Sequence, residues 1–362
     1  MSACLASSAY ALSVDWRLAL EHAINRLQRI DGANLGLLYI SDRFSPHAAQ
    51  MIERLRAATG IEHWVGATGI GVLGTGEAEI DAPAVSLLTC RLPTDSFRVF
   101  SGRKPLPRDF ASFGALVHGD PATPDMSELV QDMSSKVRGN CLCGGLASAR
   151  HMPLHFADAA LQGGLSGVAF DERIRLVTAV SQGCIALPGS WRVTASDENA
   201  IVELDGRPAL KVFREAIGPA LGADLQRAAR NLRVGLRNEE SGPTGFAVRP
   251  ITDFDLRAGA LSINEQVAEG QELVFVRQDA NSAAEDFRRT LARLRQACPE
   301  PPVAGIYISC AGRGGALFDS DDSEVAMIAE VFDQLPLAGF FSAGEIASNR
   351  LYGLTGVLTL LF

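Results

Sequence analysis

The C-terminal sixty residues decide the fold: VAGIYIS (303–309), CAGRGGALF (310–318), an apolar-periodic stretch from Ser323 to Gln334, PLAGFFSAGEIA (336–347) and NRLYGLTGVLTLLF (349–362). The first run is short, continuous and apolar, which suits a buried strand, and the 323–334 stretch repeats its apolar residues at helical steps. A Gly-rich strand and a further strand follow. The same order occurs twice upstream. LGLLYIS (35–41), a helical pattern opened by Pro46 through Met51, Ile52 and Leu55, WVGATGIGVLGTGE (64–77) and APAVSLLTC (82–90) form one copy. FGALVHG (113–119), a helix over Asp125–Val137, NCLCGGLASA (140–149) and GGLSGVAF (163–170) form the other. Leu37 to Gly66, Ala115 to Gly144 and Ile306 to Gly339 are nearly equal intervals. The reading is a mixed α/β (α+β) protein built from repeated strand-helix-strand units in large mixed sheets.

Ahead of these copies, Trp16, Ala19, Leu20, Ala23, Ile24 and Leu27 predict an opening amphipathic helix that stops at Gly32. Between the second and third units the pattern changes to short strands with turns at Asp205-Gly206 and Glu269-Gly270. Helices are expected there over Pro208–Ile217, Asp224–Leu232 and Asn281–Cys298. A boundary near Pro188-Gly189 divides the chain into 1–188 and 189–362, with residues 238–245 read as an exposed loop.

The 362 residues, at about 150 per domain, suit about two domains. A net charge of −9 has the wrong sign for a chain that neutralises phosphate backbones, so nucleic acid is not an expected partner. The longest apolar runs are too short to cross a bilayer, and no basic residue precedes the apolar N-terminus, which points to a cytoplasmic protein. Seven cysteines, an odd number spread along the chain, read as reduced thiols.

Chemical motifs are sparse. Gly69, Gly71 and Gly74 fit a G-x-G-x-x-G pattern, but the chain runs on through more Gly and a Pro into a strand instead of a helix, so no dinucleotide site is expected. Cys141, Cys143, His151 and His155 are too poorly spaced for zinc, and Ser166 lacks the nucleophile-elbow glycine. Neither a metal nor a cofactor is expected. After the strand ending at Ser309, the loop Cys310-Ala311-Gly312-Arg313-Gly314 exposes backbone N–H groups and a forked guanidinium suited to a carboxylate. Ser342, Gly344 and Glu345 stand at a second strand end, where Glu345 could meet an ammonium group. In a purely structural reading, Arg313 and Glu345 form a salt bridge pinning the two loops.

CAGRGGALF, PLAGFFSAGEIA and NRLYGLTGVLTLLF resemble the C-terminal part of FIST domain proteins, and WVGATGIGVLGTGEAE with APAVSLL resembles the N-terminal FIST portion. The resemblance spans about Asn34 to Phe362, so the two halves correspond to FIST N-terminal and C-terminal regions. It implies an intracellular sensory module that binds a small polar molecule such as an amino acid, and no catalytic residues. Many such modules are joined to an output domain. This chain is filled by the FIST portion, which implies a separate signalling partner. Cys310, Gly312, Arg313, Gly314, Ser342, Gly344, Glu345 and Thr355 are the expected ligand-binding positions, with Gly339 also matching the family pattern. Two rivals remain open: an enzyme with Cys310 as nucleophile, using a His from the N-terminal half, and an interaction scaffold.

Overall fold

The computed structural model describes residues 5–222, 224–237, 246–298 and 300–362. The expected loop at 238–245 and Cys4 lie outside the described residues. The chain forms two compact units, one of residues 1–181 and 287–362, the other of residues 182–286.

In chain order, the first unit opens with β1 (Leu5–Leu12), α1 (Trp16–Arg26), β2 (Leu35–Ser41), α2 (Ala48–Thr59), β3 (His63–Gly69), β4 (Gly71–Gly74), β5 (Ala78–Ile80) and β6 (Ala84–Arg91). A 3-10 turn over Asp42–His47 joins β2 to α2. The second copy comprises β7 (Phe97–Phe100), β8 (Gly114–Gly119), α3 (Met126–Ser135), β9 (Cys141–Leu146), β10 (His155–Ala157), β11 (Ala160–Leu161) and β12 (Leu165–Phe170), followed by β13 (Leu176–Ser181).

The second unit holds β14 (Ile185–Ala186), β15 (Trp191–Asp197), β16 (Ala200–Leu204), β17 (Arg207–Pro208), α4 (Ala209–Gly222), α5 (Leu225–Asn231), β18 (Leu232–Arg237), β19 (Ala247–Asp255), β20 (Ala260–Ile263) and β21 (Glu272–Arg277). Its strands pair in the order β21-β15-β16-β20-β19-β18, and β18 pairs back onto β21, so the sheet closes on itself and leaves no edge along that ring. Val193, Leu204, Phe213, Val234 and Phe275 belong to its core. After α6 (Ala280–Ala297) come β22 (Ala304–Cys310), α7 (Gly314–Leu317), α8 (Ser323–Val331), β23 (Leu337–Ser342), β24 (Gly344–Ala347), β25 (Arg350–Tyr352) and β26 (Gly356–Leu361).

Three six-stranded sheets build the first unit: β1-β6-β2-β3-β10-β11, β7-β12-β8-β9-β24-β25 and β13-β26-β22-β23-β4-β5. Each has the same plan. A parallel pair (β2 with β3, β8 with β9, β22 with β23) is joined through a helix, and an antiparallel strand flanks its first member. The second member is flanked by a hairpin strand borrowed from another copy. β3 runs on into β4 in the third sheet, β23 into β24 in the second, and β9 leads to β10 in the first. The three copies thus exchange strands in a cycle.

The recurring glycine has a physical cause. Gly66, Gly144 and Gly339 lie on the second parallel strands, where a Cβ would fall inside the carbonyl oxygens of Leu38, Val117 and Tyr307 respectively. Gly66 and Gly144 also have φ of +150° and +153°, which side-chain-bearing residues avoid. Alternate strand residues point to opposite faces. Leu37, Tyr39, Leu116, Cys143, Ile308 and Phe340 therefore join one core fed by all three sheets, while Leu38, Ile40 and Trp64 pack in a second core with α1 and α2. Burying each such large side chain contributes about 1.5–3 kcal/mol. Among the described residues no helix is long and apolar enough to cross a membrane.

Candidate functional site

The expected site residues gather at the carboxyl ends of β22 and β23, where Cys310 and Ser342 are register partners. The Cys310 amide donates to the Thr355 carbonyl at 2.9 Å, and the Ala311 amide donates to the Ser342 carbonyl at 2.8 Å. Glu345, on β24, is fully buried. One carboxyl oxygen accepts from the Ser342 hydroxyl at 2.5 Å; the other accepts from the Thr355 hydroxyl at 2.8 Å and the Thr355 amide at 3.1 Å. Burial outweighs these donors and raises the Glu345 pKa to about 7. The Cys310 thiol lies against this carboxyl, and burial together with that negative charge pushes it up to about 11. Cys310, Ser342, Glu345 and Thr355 thus form one buried cluster.

Arg313 is not part of that cluster. Its guanidinium is fully buried and pairs with Glu324 of α8 at 2.8 Å, so the salt bridge to Glu345 of the purely structural reading is replaced by one to Glu324. Nε donates to Glu324 at 3.0 Å, one terminal nitrogen to the carbonyls of Ser181 (3.1 Å) and Leu354 (3.3 Å), and the other to the Ser181 hydroxyl (3.0 Å) as well as to Glu324. All five guanidinium N–H groups are therefore used inside the protein. The forked donor that the sequence offers to a ligand carboxylate is already spent. Glu324 also accepts from Tyr307 (2.5 Å) and Ser309 (2.7 Å), both on β22. Ser309 and Cys310 are adjacent, so their side chains leave opposite faces of the strand. That alternation gives the two groups different hydrogen-bond partners, while the Arg313 charge still acts on Glu345 through space and favours its ionised form.

Gly312 is exposed in the loop, and a Cβ there would press on Leu354. Gly314 is buried, with Ile80 and Asp321 where a side chain would go, and Gly344 sits against Leu351 and Leu146. Gly339 is held by its approach to the Tyr307 carbonyl.

Sequence reasoning did not single out Glu324, Ser309, Tyr307 or Ser181. The available signal was a carboxylate in the first turn of the mostly apolar helix SEVAMIAEV, flanked by the apolar face of Val325, Met327 and Ile328. It also missed a buried polar row in the first core: the Tyr39 hydroxyl lies 3.1 Å from His118 Nε2, and His155 Nδ1 lies 2.6 Å from the Ser166 hydroxyl. Burial lowers the His118 pKa to about 3, so that ring is neutral. His155 bonds Ser166 and the Gly163 carbonyl, and the described residues hold no cluster of metal-ligating side chains.

A family model described as the FIST N domain matches residues 34–207, and one described as the FIST C domain matches residues 209–348. An uncharacterized protein of Mycobacterium tuberculosis is 28% identical over 376 residues, covering 95% of this chain and 96% of the relative. An uncharacterized protein of Mycobacterium bovis is 31% identical over 257 residues, covering 68% of this chain and 66% of the relative. With both parts matched in order, and with the glycines and strand ends that carried the resemblance in place, this chain belongs to the FIST family, a family of sensory and signal-transduction domains.

Proposed function

We propose that this chain is a non-catalytic, cytoplasmic sensory module that binds a small polar metabolite at the β22–β23 strand ends and acts through a separate output protein. Amino acids are the first ligand class to test. The observation that carries the reading is Glu345: a fully buried carboxyl near pKa 7, held by donors from two strand ends. A group poised at neutrality changes charge when a small stimulus arrives, and an ammonium-bearing ligand favours its ionised form. Ionisation strengthens the bonds from Ser342 and Thr355, which tie the β23–β24 turn to the start of β26. β24 belongs to the second sheet, so the event is felt beyond the third. Cys310, held protonated by burial and by Glu345, supports a positional role for the thiol over a nucleophilic one.

The test is a thermal-shift screen of amino acids and related amines on the wild-type chain and Glu345→Gln. A ligand at a hundredfold excess over its Kd stabilises by about 2.7 kcal/mol, which raises Tm by several degrees. The expected result is a saturable rise in the wild type that Glu345→Gln loses. A rise unchanged by Glu345→Gln would remove the cluster from the binding site.

A further inference from the structure

The cyclic plan gives the first unit three equivalent sets of parallel-strand carboxyl ends, the places where α/β sheets bind ligands. They are finished differently. At β8 and β9 the protein closes the end with its own loop: Asp120 accepts from the Gly163 amide at 2.8 Å, and Thr123 from the Gly164 amide at 2.7 Å. At β22 and β23 it places the Glu345 cluster. At β2 and β3 the 3-10 turn Asp42–His47 instead borders two cavities, one of about 610 Å³ and one of about 380 Å³. Arg43 lines both.

The charges around Arg43 are unevenly satisfied. In the larger cavity Asp42 and Asp81 are both committed to Arg150: its amide and guanidinium bond Asp42 at 3.0 and 3.1 Å, and its other terminal nitrogen pairs with Asp81. His151 is exposed beside them. In the smaller cavity Arg17 lies over the Trp16 ring at 4.5 Å, and His47 stacks on that ring at 5.2 Å. Asp15 is spent on the Arg17 amide as the cap of α1, whose positive end faces this side. Among the described residues, neither the Arg43 nor the Arg17 guanidinium makes a hydrogen bond or an ion pair. Two forked cations, Arg43 and Arg17, therefore both border the smaller cavity, whose lining carboxylate, Asp15, already has a partner.

We propose that this cleft is a second binding site, for a small organic anion whose carboxylate or phosphate group is held by Arg43 and Arg17. A guanidinium fork matches either oxyanion in a bidentate pair. The cavity volumes fall in the usual range for small-molecule sites, roughly 300–1,000 Å³. Arg150, locked by two aspartates, lines the larger cavity on the other side of Arg43.

The test is thermal unfolding of the full chain titrated with inorganic phosphate or with acetate, against sodium chloride at matched ionic strength. The expected result is a saturable rise in Tm above the chloride control, abolished in Arg43→Met and reduced in Arg17→Met. Because Arg43 is exposed and makes no hydrogen bond or ion pair among the described residues, Arg43→Met is expected to unfold at the wild-type temperature when no anion is added. A response to phosphate alone assigns a phosphate group, and a response to acetate alone assigns a carboxylate. Glu345→Gln keeps the response, which separates this cleft from the site proposed above. No saturable rise with either anion overturns the proposal, as does a rise that survives Arg43→Met.

Discussion

Arg313 and Glu345 stand within a few residues of matching strand ends, yet their chemistry is opposite. Arg313 is a charge fully paired in the interior, so removing one partner leaves the other buried and uncompensated, at about 3–5 kcal/mol. Arg313→Ala and Glu324→Gln are each expected to lower the urea midpoint sharply. The double variant should cost clearly less than the sum, a coupling that a double-mutant cycle measures. Glu345 is a carboxyl whose neutral form is favoured by folding. Its folded pKa of about 7 lies above the unfolded value near 4.5, so its contribution is fully present below about pH 4.5 and is lost as pH rises toward 7. Glu345→Gln should remove that loss. The stability difference between variant and wild type is then expected to grow by about 3 kcal/mol across the window. A pH-independent difference would place the carboxyl's titration outside this range. The residue pattern alone brought Cys310, Ser342 and Glu345 to strand ends, because each sits at the close or opening of a readable apolar run, and Thr355 came only from the family resemblance. Neither reading of Arg313, as a ligand contact or as the partner of Glu345, named Glu324, because face is set by strand parity and by a helix eleven residues downstream, and loop composition carries neither.

At the scale of elements, the repeated unit was legible because parallel strands buried on both faces read as continuous apolar runs and their connecting helices keep a helical period. The spaced glycine was visible too, and its cause is backbone contact between paired strands. Gly144→Ala is expected to destabilise by well over 1 kcal/mol, since the methyl group has to displace the Val117 carbonyl. Gly60→Ala, at a helix end with open space around it and φ of +74°, should cost only about 1 kcal/mol. Equal effects in chemical denaturation would count against the close-approach argument. What the runs did not disclose was the hand-over of strands. Gly69-Ile70-Gly71 and Ser342-Ala343-Gly344 look like ordinary turns in sequence, and nothing local says that the strands on either side belong to different sheets.

For the whole molecule, the hand-over means that the first unit cannot be cut where its sequence changes character. Residues 287–362 supply three strands of the third sheet and the β24–β25 hairpin of the second. A fragment ending at residue 286 should therefore lack the cooperative unfolding transition of the first unit, read by circular dichroism and calorimetry. A native-like transition from that fragment would show that the first two sheets stand alone. The second unit's closed ring was read only as short strands with turns, because ring closure between β18 and β21 is a long-range pairing with no sequence mark of its own.

The exchange also imposes an order in time. The Thr75 hydroxyl donates to the Leu335 carbonyl, 260 residues further on, and the β4–β5 hairpin pairs with β23. At about 5–20 residues per second, a ribosome takes on the order of tens of seconds to supply that partner. For that interval the nascent hairpin carries an unpaired edge, open to pairing with another chain until residues 337–342 emerge.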